Sequence, residues 1–309
     1  MRRLRLTGIV CILLAAALLA GCGQNGAAGG NTEEHPLPTL SPGVPDPLQD
    51  ESDDPLTPPD VTDPVDPTDP PAPTEPVDVE PEPSALELEL TAKLAELPGK
   101  WSVYVKNVDT GECFCINDEP MVAASLIKLY VAGAYYSTDP QAADASRCGQ
   151  VDSMINVSSN EACNSLISLL GFQTINAFIR DFGDEDSALN RKMLEQNGQE
   201  NYITARACGR LLEQILAGKY VSPEASERLL QNLKDQARTG KIPAGVPDGV
   251  ATANKTGELT NTENDAAIVW SPGGTYVLCV LSTDLTDTAS ARKSIVEISR
   301  IVYDYFNAG

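Results

Sequence analysis

The chain has 309 residues and a formal net charge of −22, and its prolines and acidic residues are concentrated near the N-terminus. Between Gly23 and Ala85 the sequence holds 16 of its 23 prolines, 15 acidic residues and no Lys or Arg, so this segment lacks the apolar periodicity of a core. Residues 86–309 carry no basic patch, which argues against nucleic acid as a partner. The single histidine, His35, lies outside them, which excludes a Ser-His-Asp triad and a histidine-ligated metal there, and we expect no cofactor.

The N-terminus has the charged-then-apolar order of an export signal. Arginines at positions 2, 3 and 5 precede an apolar run over Leu6–Ala20, which is shorter than the roughly 20 residues that a membrane-spanning helix needs. The run ends in Leu19–Cys22, which resembles the lipobox of bacterial lipoproteins. This resemblance implies that residues 1–21 are a cleaved signal peptide and that lipidated Cys22 anchors an extracytoplasmic protein to the cell membrane. An ordinary secreted protein with an incidental Cys22 is the alternative.

Residues 22–85 are predicted to form a disordered, acidic, proline-rich stalk. Asp-Pro pairs recur every three residues from Asp63 to Pro70, which is one turn of a polyproline II helix. Because like charges stack on one face, the segment is expected to stay extended and to reach roughly 200 Å at about 3.1 Å per residue. A proline-rich ligand for a recognition domain is the alternative, but no basic residue accompanies the prolines.

Residues 86–309 are predicted to form one domain that mixes helices and strands. Apolar periodicity and turn residues predict helices over 84–97, 126–136, 161–170, 174–181, 204–217, 223–235 and 289–306, and strands over 101–108, 113–116, 250–255, 266–270 and 276–282. Strands that flank a helical middle must pair with each other. The predicted fold class is therefore α+β: an antiparallel five-stranded sheet covered by the terminal helices, with an inserted all-helical subdomain.

The cysteines of this domain are predicted to be buried free thiols. Most of them fall on apolar faces of predicted helices or inside strands, and Cys113 with Cys115 offers only half of a metal site. Export would permit disulfides without requiring them, so their pairing stays open. We expect the protein to be a monomer. The cysteines are Cys113, Cys115, Cys148, Cys163, Cys208 and Cys279.

Without a histidine, a serine nucleophile needs another base, and Lys128 is a candidate. Ser125 precedes it by three residues, so on a helix the two side chains share a face and Lys128 is expected to contact Ser125. At the first turn of a helix, the backbone N–H of Ser125 would also be suited to stabilise an oxyanion. Alone, this spacing is also common on amphipathic helices.

Two further motifs follow in order: Ser158-Ser159-Asn160 before a predicted helix, and Lys255-Thr256-Gly257 at the end of a predicted strand. Together, the three motifs resemble the S-x-x-K, S-x-N and K-T-G signatures of serine β-lactamases and penicillin-binding proteins. The sequence around these motifs, including Asn164 and Asn264-Asp265, resembles that of class A β-lactamases in particular. The resemblance covers residues 86–309.

The resemblance implies catalytic roles for four residues. Ser125 would open an amide and become an acyl-ester, and Lys128 would help to deprotonate it, directly or through water. Ser158 would pass a proton to the leaving nitrogen, with Lys255 beside it.

It also implies a substrate-binding set. Asn160 would hold the substrate's side-chain amide, and Thr256 with Gly257 would bind its carboxylate. The backbone N–H groups of Ser125 and Glu258 would form the oxyanion hole, where each donor is worth roughly 3 kcal/mol.

The sequence departs from the class A pattern in several places: Ser159 stands where the second motif usually has aspartate, and the strand predicted over 266–270 has no arginine as a second carboxylate anchor. Where the family has E-x-x-L-N, this chain has Asp186-Ser187-Ala188-Leu189-Asn190, which predicts Asp186 as a shortened hydrolytic base and Asn190 as a residue that helps to hold the water. A solvated acidic turn over 184–186 is the alternative. Glu258 places an acid where a substrate carboxylate would dock, which lowers affinity unless its side chain points away.

The resemblance therefore implies a serine hydrolase that opens β-lactam rings through an acyl-serine intermediate, with slow deacylation because of the shortened base. Two alternatives use the same acylation: a D-Ala-D-Ala peptidase acting on cell-wall peptides, and a sensor that binds β-lactams without hydrolysing them.

Overall fold

The computed structural model describes residues 82–139, 141–144 and 148–308. The predicted signal peptide, Cys22 and most of the predicted stalk lie outside these residues. In the described part of the chain, the helices are α1 (Ala85–Ala95), α2 (Lys128–Thr138), α3 (Gly149–Asn156), α4 (Asn160–Leu170), α5 (Phe172–Asp181), α6 (Ala205–Leu216), α7 (Pro223–Lys234), α8 (Ile242–Gly245) and α9 (Thr288–Phe306), and a 3-10 helix spans Ala124–Ile127.

The strands form two antiparallel sheets, and the larger one confirms the predicted fold class. Its five strands are ordered β2-β1-β7-β6-β5, and a short pair joins β3 to β4. The strands are β1 (Lys100–Asn107), β2 (Cys113–Ile116), β3 (Met121–Val122), β4 (Tyr202–Ile203), β5 (Ala251–Leu259), β6 (Thr262–Ser271) and β7 (Gly274–Thr283). Because β5 is an edge strand, alternate backbone N–H groups on it face away from β6.

The large sheet is buried on both faces, and β7 shows why. Its side chains alternate in direction, as a period of two requires. Tyr276, Leu278 and Val280 pack in one cluster with α1 and α9, whereas Val277 and Cys279 pack in the other with the helical subdomain. The chain therefore forms two cores that share one sheet, and the site lies where the helical subdomain meets edge strand β5.

The structure adds elements that the sequence pattern did not predict. Helix α3 was missed because it has only eight residues and no side chain caps its N-terminus. It is held by tertiary contacts instead: Asp152 accepts hydrogen bonds from Arg228 and from Asn232 of α7 (3.0 Å). Strands β5 and β6 also extend beyond their predicted ends. Residues 263–265 are poor strand formers, but they are buried and bonded here.

The six cysteines within the described residues are free, as predicted. Four of them are buried, but Cys113 is exposed and Cys115 is half-buried, so the prediction of buried thiols is wrong for these two. No single helix among the described residues is long and apolar enough to span a membrane. Helices α4 and α5 together have the length and composition of a span, but the pair is bent by 90°.

Candidate active site

Ser125 lies in the 3-10 helix one turn before α2, not in the first turn of the α-helix that the sequence predicted. The preceding residue, Ala124, has φ of +46°, a left-handed conformation that is unfavourable for a residue with a Cβ. The surrounding structure holds this turn in place. Asn201 O accepts a hydrogen bond from Ala123 N (2.8 Å), and Asn264 Nδ2 donates to Ala123 O (3.3 Å). Such local strain is typical of functional sites.

Gly257 brings strand β5 against the backbone of this turn. A Cβ on Gly257 would lie 2.9 Å from Ala123 O and 3.2 Å from Ser125 N, distances that no ordinary side chain tolerates. The K-T-G motif needs its glycine here because the strand approaches the nucleophile's N–H directly. This close approach puts the edge of β5 beside Ser125, as a two-donor oxyanion hole requires.

The Lys128 ammonium makes three hydrogen bonds, none of them to Ser125. It donates to Ser158 O (2.8 Å), Ser158 Oγ (3.1 Å) and Asn160 Oδ1 (2.8 Å). This corrects the expectation that Lys128 contacts Ser125 in the resting site, because the three N–H groups of the ammonium are already used. Lys128 is fully buried, and burial lowers its pKa to about 8, with the charge of Arg238 acting in the same direction. A neutral amine is therefore accessible near physiological pH.

Ser158 lies between two lysines. Its Oγ accepts hydrogen bonds from Lys128 Nζ at 3.1 Å and from Lys255 Nζ at 3.0 Å. The backbone of Ser158 has a positive φ of +59°. With both lone pairs engaged, the hydroxyl hydrogen is left to donate to a third group, as a proton shuttle needs. The neighbouring Ser159 caps α4 by accepting a hydrogen bond from Ala162 N (3.1 Å). Serine thus keeps a structural role at the position where the class A motif has aspartate.

Lys255 is also fully buried and donates a second hydrogen bond to Thr256 O (2.7 Å). Burial lowers its pKa well below the ordinary value, and the charges of Lys128 and Arg238 lower it further. Asn160, on the other side of Lys128, keeps two N–H groups on Nδ2 without a partner among the described residues, and it lines the cleft with Ser125. These donors are placed for a substrate carbonyl.

Glu258 lines the same cleft, and its carboxylate is paired with two cations. Arg238 Nη1 donates to Oε2 (2.7 Å), and Lys241 Nζ lies 3.2 Å from Oε1. Burial alone would raise the pKa of Glu258, but Lys241 and Arg238 outweigh it and the pKa is lowered. Sequence reasoning missed both cations. The only available signal was the acid itself, which needs a positive partner in a binding cleft.

The loop that follows α5 contributes apolar side chains to the wall near Ser125. Met193 and Leu194 line the cleft, and Asn164 fixes the backbone of Met193 by accepting from its N (2.7 Å) and donating to its O (3.2 Å). The one acid that this loop brings to the cleft is Glu200, whose Oε2 accepts from Arg191 Nη2 at 2.6 Å. Among the residues that line this cavity with Ser125, the one carboxylate from the loop is therefore paired with a guanidinium.

The structure does not bring Asp186 or Asn190 into this cleft. The Asp186 side chain is exposed, and neither residue lines the cavity that contains Ser125. Asn190 is engaged elsewhere, with its N bonded to Asn201 Oδ1 (2.7 Å) and its Nδ2 to Glu200 O (2.8 Å). In the free protein neither side chain lines the cavity that contains Ser125, and the roles of Asp186 as hydrolytic base and of Asn190 as a residue that helps to hold the water stay predictions.

The described residues contain no group of three His, Cys, Asp or Glu side chains placed to hold a metal. What the site offers is a serine hydroxyl beside a strand edge, with two buried lysines that share one hydroxyl oxygen. This arrangement can move a proton from a nucleophile to a leaving group without histidine. It is suited to acyl transfer.

Comparison with known proteins agrees with this geometry. The sequence model of the Beta-lactamase enzyme family matches residues 85–142 and 150–306, so the chain belongs to the Beta-lactamase enzyme family. A β-lactamase of Bacillus licheniformis is 34% identical over 167 residues, which cover 50% of this chain and 54% of that protein. The chain thus spans about half the length of sequence relatives such as this one.

Two solved structures share the fold. A β-lactamase from Sphaerobacter thermophilus superposes with a TM-score of 0.64 at 25% identity and covers 72% of this chain and 97% of that one. A mutant of PBP-A, solved as an acyl-enzyme complex with penicillin G, superposes with a TM-score of 0.66 at 23% identity and covers 72% of this chain and 97% of that one.

Proposed function

We propose that this protein is a serine acylase of the β-lactamase kind, which opens β-lactam rings through an acyl-ester on Ser125. The observation that carries the proposal is the pair of short contacts from Lys128 and Lys255 to Ser158 Oγ, at 3.1 and 3.0 Å, beside the Ser125 turn. In this mechanism neutral Lys128 takes the proton from Ser125, directly or through water, while Oγ attacks the carbonyl. Ser158 then donates its own proton to the leaving nitrogen and is reprotonated from a lysine.

The second part of the proposal is that deacylation is slow. Hydrolysis of the ester needs a base that activates water next to Ser125, and the side chains which the loop presents there are those of Met193 and Leu194. Glu200 is already paired with Arg191, and Glu258 with Arg238. A carboxylate that is held by a guanidinium is a weak base, because its charged form is stabilised.

The same observation favours a second candidate, a D-Ala-D-Ala peptidase acting on cell-wall peptides. In such a peptidase, acylation of Ser125 itself breaks the D-Ala-D-Ala bond and releases D-alanine, so the first product forms even where the acyl group leaves Ser125 slowly. A non-hydrolysing β-lactam sensor is the limiting case, in which the acyl group stays on Ser125. The three candidates differ in what removes the acyl group, not in how it is attached.

The test is a time course with a fluorescent penicillin. Wild-type protein should be labelled rapidly, keep the label over many minutes, and yield a tryptic adduct within residues 107–128. Ser125→Ala should lose labelling by at least about 10⁴-fold, because the nucleophile is removed. Ser137→Ala, an exposed serine at the end of α2, is the matched control and should label normally. Labelling of Ser125→Ala at the wild-type rate would overturn the proposal.

The acceptor is identified in the same assay. Release of D-alanine from an acyl-D-Ala-D-Ala peptide would favour the peptidase, whereas repeated ring opening of penicillin would favour the lactamase. A stable adduct with neither activity would leave the sensor.

We also propose that the mature protein begins at lipidated Cys22 and that residues 22–85 hold the domain away from the membrane, outside the cytoplasm. The support is the sequence pattern of residues 2–22 alone. Mass spectrometry of the mature N-terminus tests it. An unmodified Cys22, or a Cys22→Ser variant that stays equally bound to membranes, would contradict the anchor.

A further inference from the structure

The Glu258 side chain does not point away from the cleft. It lies on the same face of β5 as Thr256, since strand side chains alternate, and it lines the cavity that contains Ser125. Thr256 is the residue to which the family resemblance gives the substrate carboxylate. A protein carboxylate therefore occupies the region in which a substrate carboxylate is expected to dock.

The cations at this end of the cleft differ in how available they are. Lys241 is buried, with a side chain only 3% exposed, and is also held by Glu263 Oε2 (2.7 Å) and Asn264 O (2.9 Å). Arg238 is 48% exposed and has Glu258 as its carboxylate partner, at 2.7 Å. Its charge also lowers the pKa of both Lys128 and Lys255, so it acts electrostatically on the catalytic lysines. Arg238 is thus the accessible guanidinium for an incoming anion.

We propose that Glu258 is a specificity-determining residue that competes with the substrate's own carboxylate for Arg238. This inference rests on the proposed acylation of Ser125. In the free protein the Glu258 carboxylate holds the guanidinium. An acyl donor with a carboxylate on its leaving-group side must displace or share that contact, whereas a donor without one docks with no such penalty.

The energetics allow displacement but make it unfavourable. An ion pair between partly exposed side chains is weak, so Arg238 can exchange partners. Glu258 stays ionised at neutral pH because its pKa is lowered, so a second carboxylate meets a full negative charge at short range. A guanidinium has five N–H donors and can satisfy two acceptors, which limits the penalty. We expect about a tenfold effect.

The experiment compares benzylpenicillin with its methyl ester, which lacks the carboxylate charge and carries one additional methyl group. Glu258→Gln should raise the second-order acylation rate for the free acid about tenfold and change that for the ester by less than about twofold. The backbone N–H at position 258 is unchanged by this substitution. Glu200→Gln, which removes a carboxylate from the opposite wall, is the control and should not discriminate between acid and ester.

Adding Arg238→Gln to Glu258→Gln should abolish the gain for the free acid, because the released guanidinium is its source. Equal changes for acid and ester in Glu258→Gln would contradict the inference. A slower reaction of the free acid would contradict it too, and would mean that Glu258 orients Arg238 for the substrate.

A binding arm separates this inference from the proposed function. In a Ser125→Ala background, an NMR titration should find the free acid bound about tenfold more tightly when Glu258 is replaced by Gln, with the ester unaffected. That comparison holds even where Ser125 is not acylated in the wild-type protein. The proposed competition would be contradicted if Glu258→Gln left the affinity for the acid unchanged. It would also be contradicted if the protein carrying both Ser125→Ala and Glu258→Gln showed no measurable binding of the acid.

Discussion

The two walls of the cleft around Ser125 are built in different ways. On one wall, Lys128 at the start of α2 and Lys255 on β5 donate hydrogen bonds of 3.1 and 3.0 Å to Ser158, which lies in the short connection between α3 and α4. On the other wall, the loop of residues 182–201 presents Met193 and Leu194 and pairs its nearest acid with Arg191. The first wall holds proton-transfer groups, and the second holds none that is free.

This difference indicates that the two half-reactions of a serine acylase, acylation and deacylation, depend on different parts of the structure. Acylation depends on the wall that the rigid elements build, and deacylation depends on the loop. A loop can change its side chains without disturbing the sheet or the helices, because its backbone is held by amide side chains such as Asn164 and Asn201.

The largest expected effect is on the first wall. Lys128→Met keeps the length of the buried side chain and removes the amine, so acylation should slow by 10²–10⁴-fold, the usual contribution of general acid–base catalysis. Stopped-flow labelling with a fluorescent penicillin measures it. Lys192→Met, in the loop, is the control and should acylate normally. A decrease of less than tenfold for Lys128→Met would mean that Lys255 alone serves as the base.

The second prediction concerns the loop, to which a substitution adds a carboxylate. Met193→Glu places an acid at a position that lines the cleft and whose backbone Asn164 fixes. Deacylation should speed up by about 10–100-fold, because a positioned base is added, whereas the acylation burst should stay unchanged. Burst and steady-state rates of penicillin turnover measure both steps. Met193→Gln has nearly the same shape without the charge, and equal acceleration by it would exclude general base catalysis.

The third prediction concerns the pH dependence of the acylation rate. Because the active form of Lys128 is the neutral amine and its pKa is lowered to about 8, the acylation rate should rise about tenfold between pH 7 and pH 9 and then level off. The apparent pKa belongs to Lys128 and Lys255 together, since they share Ser158 Oγ. Arg238→Gln removes a charge that lowers this pKa, so the rise should move to higher pH. A rate that falls over this range would mean that the ammonium is the active form.

Much of the first wall could be predicted from the sequence, and the reason is local. Ser125, Lys128, Ser158 and Lys255 stand in three short, ordered motifs, and the resemblance of those motifs to a known family located them where the spacing of any one motif would not. Gly257 belongs to the same motif as Lys255, and a Cβ at this position would lie 2.9 Å from the backbone oxygen of Ala123. The fold class likewise followed from the alternation of apolar residues in the strands.

The second wall could not be predicted, because nothing local fixes it. The loop has no apolar periodicity, and its path is set by distant side chains such as Asn176, which bonds Leu189 N and O at 2.9 Å. The sequence pattern around Asp186 therefore does not by itself place the carboxylate beside Ser125. The pairing of Arg238 with Glu258 could not be predicted for the same reason. Twenty residues separate the two in sequence, and only the folded chain brings them together.

The smallest expected effect is that of replacing Asp186, which tests its predicted role as hydrolytic base. Asp186→Asn should change neither the burst nor the slow phase by more than about twofold, because the carboxylate is exposed to solvent and does not line the cleft. Asp186→Glu should be equally silent, although a shortened base in the cleft would be improved by the extra methylene. The measurement is the same burst and steady-state assay. If Asp186→Asn slows only the second step, the loop must close over the acyl-enzyme and carry Asp186 inward, and the separation of the two walls would hold for the free protein alone.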